Sequence, residues 1–198
     1  MRKGLLCVLM MGLLFLPACS GAGSVSPEEE LALTIRGEYL AMTKCTAQLS
    51  VTADYGQRVY EFEMDAAVNG EETVLTVTAP ELIAGVTART AGKEGALEYD
   101  GVILETGALS RGGLSPMAAF PALLAAARSG FITACSAEER EGETRLRVAC
   151  GQPEAGEDQA VETVLWFHPD THALTEGEIL VDGLRVIRCR CKNFLFTA

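Results

Sequence analysis

The chain has 198 residues, 16 basic against 27 acidic, for a formal net charge of −11, and 48% of its residues are apolar. That length supports a sizeable core. The acidic balance, with no basic stretch, argues against nucleic acid as a partner and repels anionic lipid head groups.

Arg2 and Lys3 open the chain, and Gly4 to Leu16 follows as an apolar run of roughly thirteen residues without charge. About twenty are needed to cross a bilayer as a helix. A basic start, a short apolar middle and small residues at the end read as a secretory signal over residues 1–18. The cut region Leu16-Pro17-Ala18-Cys19 resembles the lipobox of bacterial lipoproteins. The resemblance implies cleavage before Cys19 and a diacylglyceryl thioether on its sulfur. The protein would then be lipid-anchored at the extracytoplasmic face of the cell membrane. An ordinary secretory signal with a chance cysteine, or an N-terminal membrane helix, are the competing readings. Each buried acyl CH₂ contributes ~0.8 kcal/mol, so two or three chains hold stably. Residues 19–26 form a Gly/Ser-rich tether, and 27–198 a single domain. Without residues 1–18 the chain keeps 14 basic and 27 acidic residues, a net charge of −13. The anchor therefore has to hold this body at the surface.

Pro27 to Met42 has helical period: Ser26 can cap, Pro27 suits the first turn, and Leu31, Ile35 and Leu40, with Leu33 beside them, form an uneven apolar stripe. Strands follow. "TAQLSVTA" is one, and "QRVYEFEMDAAV" a second, with Tyr60, Phe62 and Met64 on one face and Glu61, Glu63 and Asp65 on the other. Asn69-Gly70 marks a tight turn before "ETVLTVTA", which carries Leu75 and Val77. "GVTART", "GALEYD" and "VILETG" are shorter strands bounded by glycine. "LSPMAAFPALLAAARSG" reads as a central helix ended by Gly130 and burying Phe120, Leu123, Leu124 and Ala127. Pro121 demands either a kink there or a start near Phe120. "FITACSAE", "TRLRVACG", "QAVETVLWFHP", "HALTEGEILVDG" and "LRVIRCRCKNFLF" complete about ten strands in consecutive hairpins. Short connections make the order antiparallel. The chain is thus mainly antiparallel β with helices (α+β). So many strands need closure or covering, and a curved, incomplete barrel supplies it, with an N-terminal helix and a central helix over its opening.

Five cysteines remain beyond Cys19, and outside the membrane they are free to bridge. Folding "SAEEREGETRLRVA" about the Gly142–Glu143 junction sets Cys135 opposite Cys150. Cys189 and Cys191 point to one face of a strand, too far apart along it to bridge each other, and one of them is a candidate partner for Cys45. A zinc site is the rival, but no CxxC pair and no histidine at ligand spacing supports a metal.

Three stretches carry a resemblance to the outer-membrane lipoprotein carrier (LolA/LolB-like) superfamily: "VTVTAPELIAGVTA", "LSPMAAFPALLAAARSG" and "VLWFHPDTHALTEGEI". Within it, "APELIAG" followed by "LEYDG" looks closest to clostridial germination-type (GerS-like) lipoproteins. The resemblance implies a half-barrel that binds an acyl chain or other hydrophobic ligand, or a lipoprotein. The clostridial branch implies instead a protein partner in the envelope, such as a peptidoglycan (cortex) amidase. Tyr60, Phe62, Met64, Leu75, Val77, Phe120, Leu124 and Trp166 would line the cavity or fill the core, since a hollow and a filled barrel need the same alternation.

His168 and His172, in "WFHPDTHAL", fall at a hairpin turn marked by Pro169-Asp170, which puts both on the surface; a metal or acid–base role would need convergent partners. Arg188 and Arg190 share a strand face opposite Cys189 and Cys191, either solvated or a docking stripe for an acidic partner. No GxSxG, Walker loop, HExxH or CxxC is present, so neither catalysis nor a cofactor is expected.

Overall fold

The computed structural model describes residues 25–92, 94–109, 112–151 and 160–198. The signal, Cys19 and most of the tether lie outside the described residues. No helix among those described is long and apolar enough to cross a membrane.

Helix α1 (Pro27–Ala41) opens with a reciprocal cap. The Glu29 amide donates to Ser26 Oγ at 3.2 Å and the Ser26 amide to Glu29 Oε2 at 3.0 Å. Its buried stripe is Ala32, Ile35 and Tyr39, whereas Leu33 and Leu40 are 56% and 63% exposed. The expected stripe followed the large aliphatics. The helix turns instead toward the one residue that both fills volume and satisfies backbone. Tyr39 hydroxyl donates to the His172 carbonyl (3.0 Å) and accepts from the Leu174 amide (2.9 Å), and its ring meets Phe167 edge-on at 5.4 Å.

Eleven strands follow: β1 (Lys44–Asp54), β2 (Val59–Asn69), β3 (Glu72–Ala79), β4 (Thr87–Ala91), β5 (Glu94–Tyr99), β6 (Val102–Glu105), then, after helix α2 (Pro116–Ser129), β7 (Phe131–Arg140), β8 (Glu143–Gly151), β9 (Val161–Phe167), β10 (Leu174–Val181) and β11 (Leu184–Thr197). They form one antiparallel sheet in the order β6-β5-β4-β3-β2-β1-β11-β10-β9-β8-β7. Two runs of hairpins therefore meet where β1 pairs with β11, and β6 and β7 are left as edges. The sheet is open rather than a closed barrel.

The alternation that predicts strands also assigns faces. Cys45, Ala47, Leu49, Val51 and Ala53 of β1 are all buried toward the helices. On β11 the inward set is Ile187, Cys189 and Cys191, then Phe194 and Phe196. The one-residue slip is a bulge, with Asn193 in the left-handed region at φ 51°. It turns both phenylalanines under Tyr39.

Helix α2 begins at Pro116, not near Phe120, and continues through Pro121. Pro121 thereby forgoes the bond to the Met117 carbonyl inside the helix. Its buried side holds Ala118, Ala119, Phe120, Leu123, Leu124 and Ala127. It lies so close to β10 that a Cβ on Gly177 would stand 2.5 Å from Leu123 Cδ1. Arg36 donates to the Gly130 carbonyl at 2.6 Å and Arg128 to the Tyr39 carbonyl at 3.0 Å, tying the two helices together.

Cys45, Cys135, Cys150, Cys189 and Cys191 are all free thiols, so the expected bridges are corrected. The β7–β8 turn is Glu141-Gly142, with φ of 53° and 83°, and Arg140 faces Glu143. That is one residue earlier than the expected junction, and the shift doubles across the hairpin: Cys135 faces Val148, and Cys150 faces Ile132. Cys45 faces Phe196, while Cys189 and Cys191 face Val51 and Leu49 farther along β1.

Candidate binding surfaces

Where α1 and the later half of α2 lie on the sheet, the space is filled. Phe62, Met64, Leu75, Val77, Phe120 and Leu124 pack in one cluster. Beneath the helices, between Ile35, Ala127, Val148, Leu165 and Phe167, the remaining void is about 10 Å³. Tyr60 belongs to the expected set but sits at the rim, 40% exposed, its ring 6.1 Å from that of Tyr55. Burial pushes the Cys45 thiol up to about 12 and raises those of Cys150 and Cys135. Cys191 is raised most by a hydrogen bond with Cys189, then by burial. Protonated and covered, these thiols are packing groups rather than nucleophiles.

Trp166 lies on the other side of the sheet. "VLWF" is apolar at every position, so period two cannot say which pair points inward. Leu165 and Phe167 do, and Trp166 packs outside with Ala149, Val164 and Leu180. Arg140 stacks on its ring at 4.1 Å, and its Nε1 donates to Glu138 Oε2 at 3.1 Å.

Around Trp166 the outer face of β7–β11 carries a charge network. Glu176 is only 7% exposed and takes Arg188 Nε at 2.6 Å and Arg140 Nη2 at 3.1 Å, with Arg190 Nε at 3.9 Å. Its hydrogen bond raises the pKa of Arg188. Seven of the fourteen basic residues in 19–198 lie on β7, β8 and β11. A cleft of about 180 Å³ opens between the β7–β8 hairpin and β10–β11, lined by Arg140, Glu141, Arg145, Glu176, Arg190 and Lys192. Only the Arg188 and Arg190 part of this surface was signalled by alternation. Arg140, Arg145 and Trp166 join it through the curl of a hairpin that sequence spacing does not encode.

The β2–β6 wing is different. Tyr55, Val59, Tyr60, Leu82, Tyr99 and Val102 are all exposed at the sheet end opposite α1's start, Leu82 by 89%. Edge strand β6 adds Ile103 and Leu104, 65% and 62% exposed. Its flank is acidic: a cleft of about 410 Å³ is lined by Glu72, Glu94 and Glu105 with Arg89. A smaller groove of about 220 Å³ separates β4 from the start of α2, lined by Leu109, Ala118, Pro121 and Ala122.

His168 and His172 are turn residues. His168 Nδ1 accepts from the Asp170 amide at 3.2 Å, and His172 Nδ1 lies 2.8 Å from Glu38 Oε2. Among the described residues no group of three or more His, Cys, Asp or Glu could hold a metal ion.

No family model matches the chain, and no curated protein does. Solved structures do. An uncharacterized conserved protein from Thermus thermophilus superposes with a TM-score of 0.53 at 9% identity over 85% of this chain and 86% of its own. A DUF1329 family protein from Desulfovibrio piger gives 0.51 at 11% over 88% and 93%. The Clostridioides difficile complex of the CwlD amidase with the GerS lipoprotein gives 0.44 at 14% over 87% and 97%. These likenesses concern fold. In this chain the fold is an open curved sheet of eleven antiparallel strands with two helices, the architecture expected from the LolA-like resemblance.

Proposed function

We propose that this chain is a lipid-anchored, non-catalytic protein of the extracytoplasmic face whose domain, residues 27–198, binds a protein partner. The observation that carries the reading is the filled interior. Ligand pockets run to about 300–1,000 Å³; the void beneath the helices is about 10 Å³ and the groove between β4 and α2 about 220 Å³, both below that range. Tyr55, Val59, Tyr60, Leu82, Tyr99, Val102, Ile103 and Leu104 are exposed together on the wing, beside an edge strand with no strand partner among the described residues. An edge of this kind accepts an extended segment by strand addition. Its acidic flank favours a segment carrying basic residues. The clostridial resemblance points to an envelope enzyme, a peptidoglycan amidase, as the partner class.

The test is cross-linking in intact cells of the wild-type chain and of Ile103→Lys/Leu104→Lys. Lysines on an exposed edge leave folding intact. One dominant protein partner, lost in the variant, is the expected result. Retention of that partner in the variant, or recovery of none from wild type, would sink the reading. The second reading, an apolar ligand, is favoured by the groove of about 220 Å³ beside α2. Its signature is stoichiometric acyl lipid released from the purified Cys19→Ser protein by organic solvent and seen by mass spectrometry.

A further inference from the structure

We propose that the cleft between the β7–β8 hairpin and β10–β11 binds the phosphate of an anionic phospholipid head group, so that the domain stands on the membrane with this end down. The orientation rests on the lipid-anchor reading above; the binding itself does not.

Three observations converge. The first is charge. Arg140, Arg145, Arg190 and Lys192 line the cleft with Glu141 and Glu176, four cations against two carboxylates in an otherwise acidic chain, and Arg145 is paired with Glu143 beside it. Arg140 is fixed by Glu176 and by Trp166, but Arg190 reaches carboxylates only at 3.7 and 3.9 Å with 46% of its side chain exposed. Lys192 is exposed and forms no ion pair among the described residues. These cations are available to an incoming anion.

The second is position. The tether enters the domain beside this cleft. Pro27, Glu28 and Leu31 line an apolar groove of about 160 Å³ with Ala137, Leu146 and Pro169, and Arg145 lines both groove and cleft. Cys19 to Ser26 spans at most about 26–29 Å fully extended. A lipid on Cys19 therefore keeps this end within reach of the head groups. The third is the groove itself, which offers apolar surface next to the cations, the pairing that a glycerol-linked phosphate requires. The net repulsion between an acidic body and anionic lipid is thereby confined to the far end, and the wing is turned outward toward partners.

The experiment uses the mature chain carrying Cys19→Ser, so that no acyl anchor contributes. It is mixed with vesicles of phosphatidylcholine alone or containing phosphatidylglycerol, and flotation is measured with the fluorescence of Trp166, the one tryptophan. Binding should require phosphatidylglycerol and weaken as salt rises. It should fall about tenfold or more in Arg190→Glu/Lys192→Glu, with Lys192→Glu alone as the milder variant. Equal flotation with both vesicle types, or an unchanged affinity in both variants, overturns the proposal. Saturation by inorganic phosphate at low concentration, with the same Trp166 response and no vesicle binding, assigns the cleft to a free anion and overturns the membrane claim. Fatty-acid labelling of the wild-type chain reports separately on the anchor.

Discussion

Replacing Gly177 by alanine tests whether the interior is as full in solution as the packing implies. The new Cβ would stand 2.5 and 2.6 Å from the Leu123 methyls and 3.0 Å from its Cγ. Leu123 is fully buried, and the void beneath the helices, about 10 Å³, cannot take a displaced isobutyl group. Overpacking of this kind costs about 1–3 kcal/mol. Alanine is favoured over glycine in a strand by about 0.5–1 kcal/mol, which offsets part of it. The net loss is about 0–2.5 kcal/mol, or a drop in Tm of up to about 10 °C for a domain this size. Leu123→Ala alone costs about 2–5 kcal/mol through the cavity it leaves. In the double variant the methyl at 177 enters that cavity, so the two losses should sum to less than additive by about 1 kcal/mol or more. Urea melts of the four proteins in this cycle measure it. A Gly177→Ala protein as stable as wild type, with a strictly additive double variant, would mean that α2 rides clear of the sheet. The filled interior, and the functional reading built on it, would then fail.

Glu176→Ala removes the nearest carboxylate from Arg188 and one of two from Arg140, whose side chains are 26% and 23% exposed and so keep some water; a loss of about 1–3 kcal/mol is expected in thermal melts, with Glu176→Gln losing less. Trp166→Phe removes the donor to Glu138 while keeping a ring under Arg140, for about 1 kcal/mol. Ser26→Ala breaks half of the reciprocal cap on α1 and should cost about 0.5–2 kcal/mol, read in the same melts. The Cys45 thiol, ordinarily near 9.0 and pushed to about 12, is protonated when folded while its unfolded counterpart ionises. Its contribution is therefore complete below pH 9 and is lost as pH rises toward 12, at up to about 1.4 kcal/mol per pH unit. Cys45→Ala should flatten the alkaline limb of a stability-against-pH series; an unchanged slope refutes the assignment.

How far the binding surfaces could be read from sequence depended on how local their signals are. Alternation in "VYEFEM" put Phe62 and Met64 inside, and Tyr60 on the same face, but only the twist at the strand's start leaves Tyr60 on the rim. Arg188 and Arg190 were paired on a face opposite Cys189 and Cys191, and there they stand. Trp166 is buried, but in a second cluster on the other face of the sheet, which four consecutive apolar residues, carrying no phase, could not tell. The cysteines failed for a sharper reason: a turn misplaced by one residue moves facing partners by two, about 7 Å along a strand, beyond the reach of a disulfide.

The sequence by itself determined the strands, the two helices and the antiparallel order, because side-chain period, glycine turns and the Ser26 cap act over a few residues. It also determined that positive charge is scarce. Only the tertiary structure decided that the space beneath α1 and the later half of α2 is filled, that Gly177 yields its place to Leu123, and that half of the remaining basic residues gather on β7, β8 and β11 while bare aliphatics collect on edge strand β6. Those outcomes depend on how strands distant in the chain lie against one another and on how closely a helix settles on them. Neither distance is written in any local period of the chain.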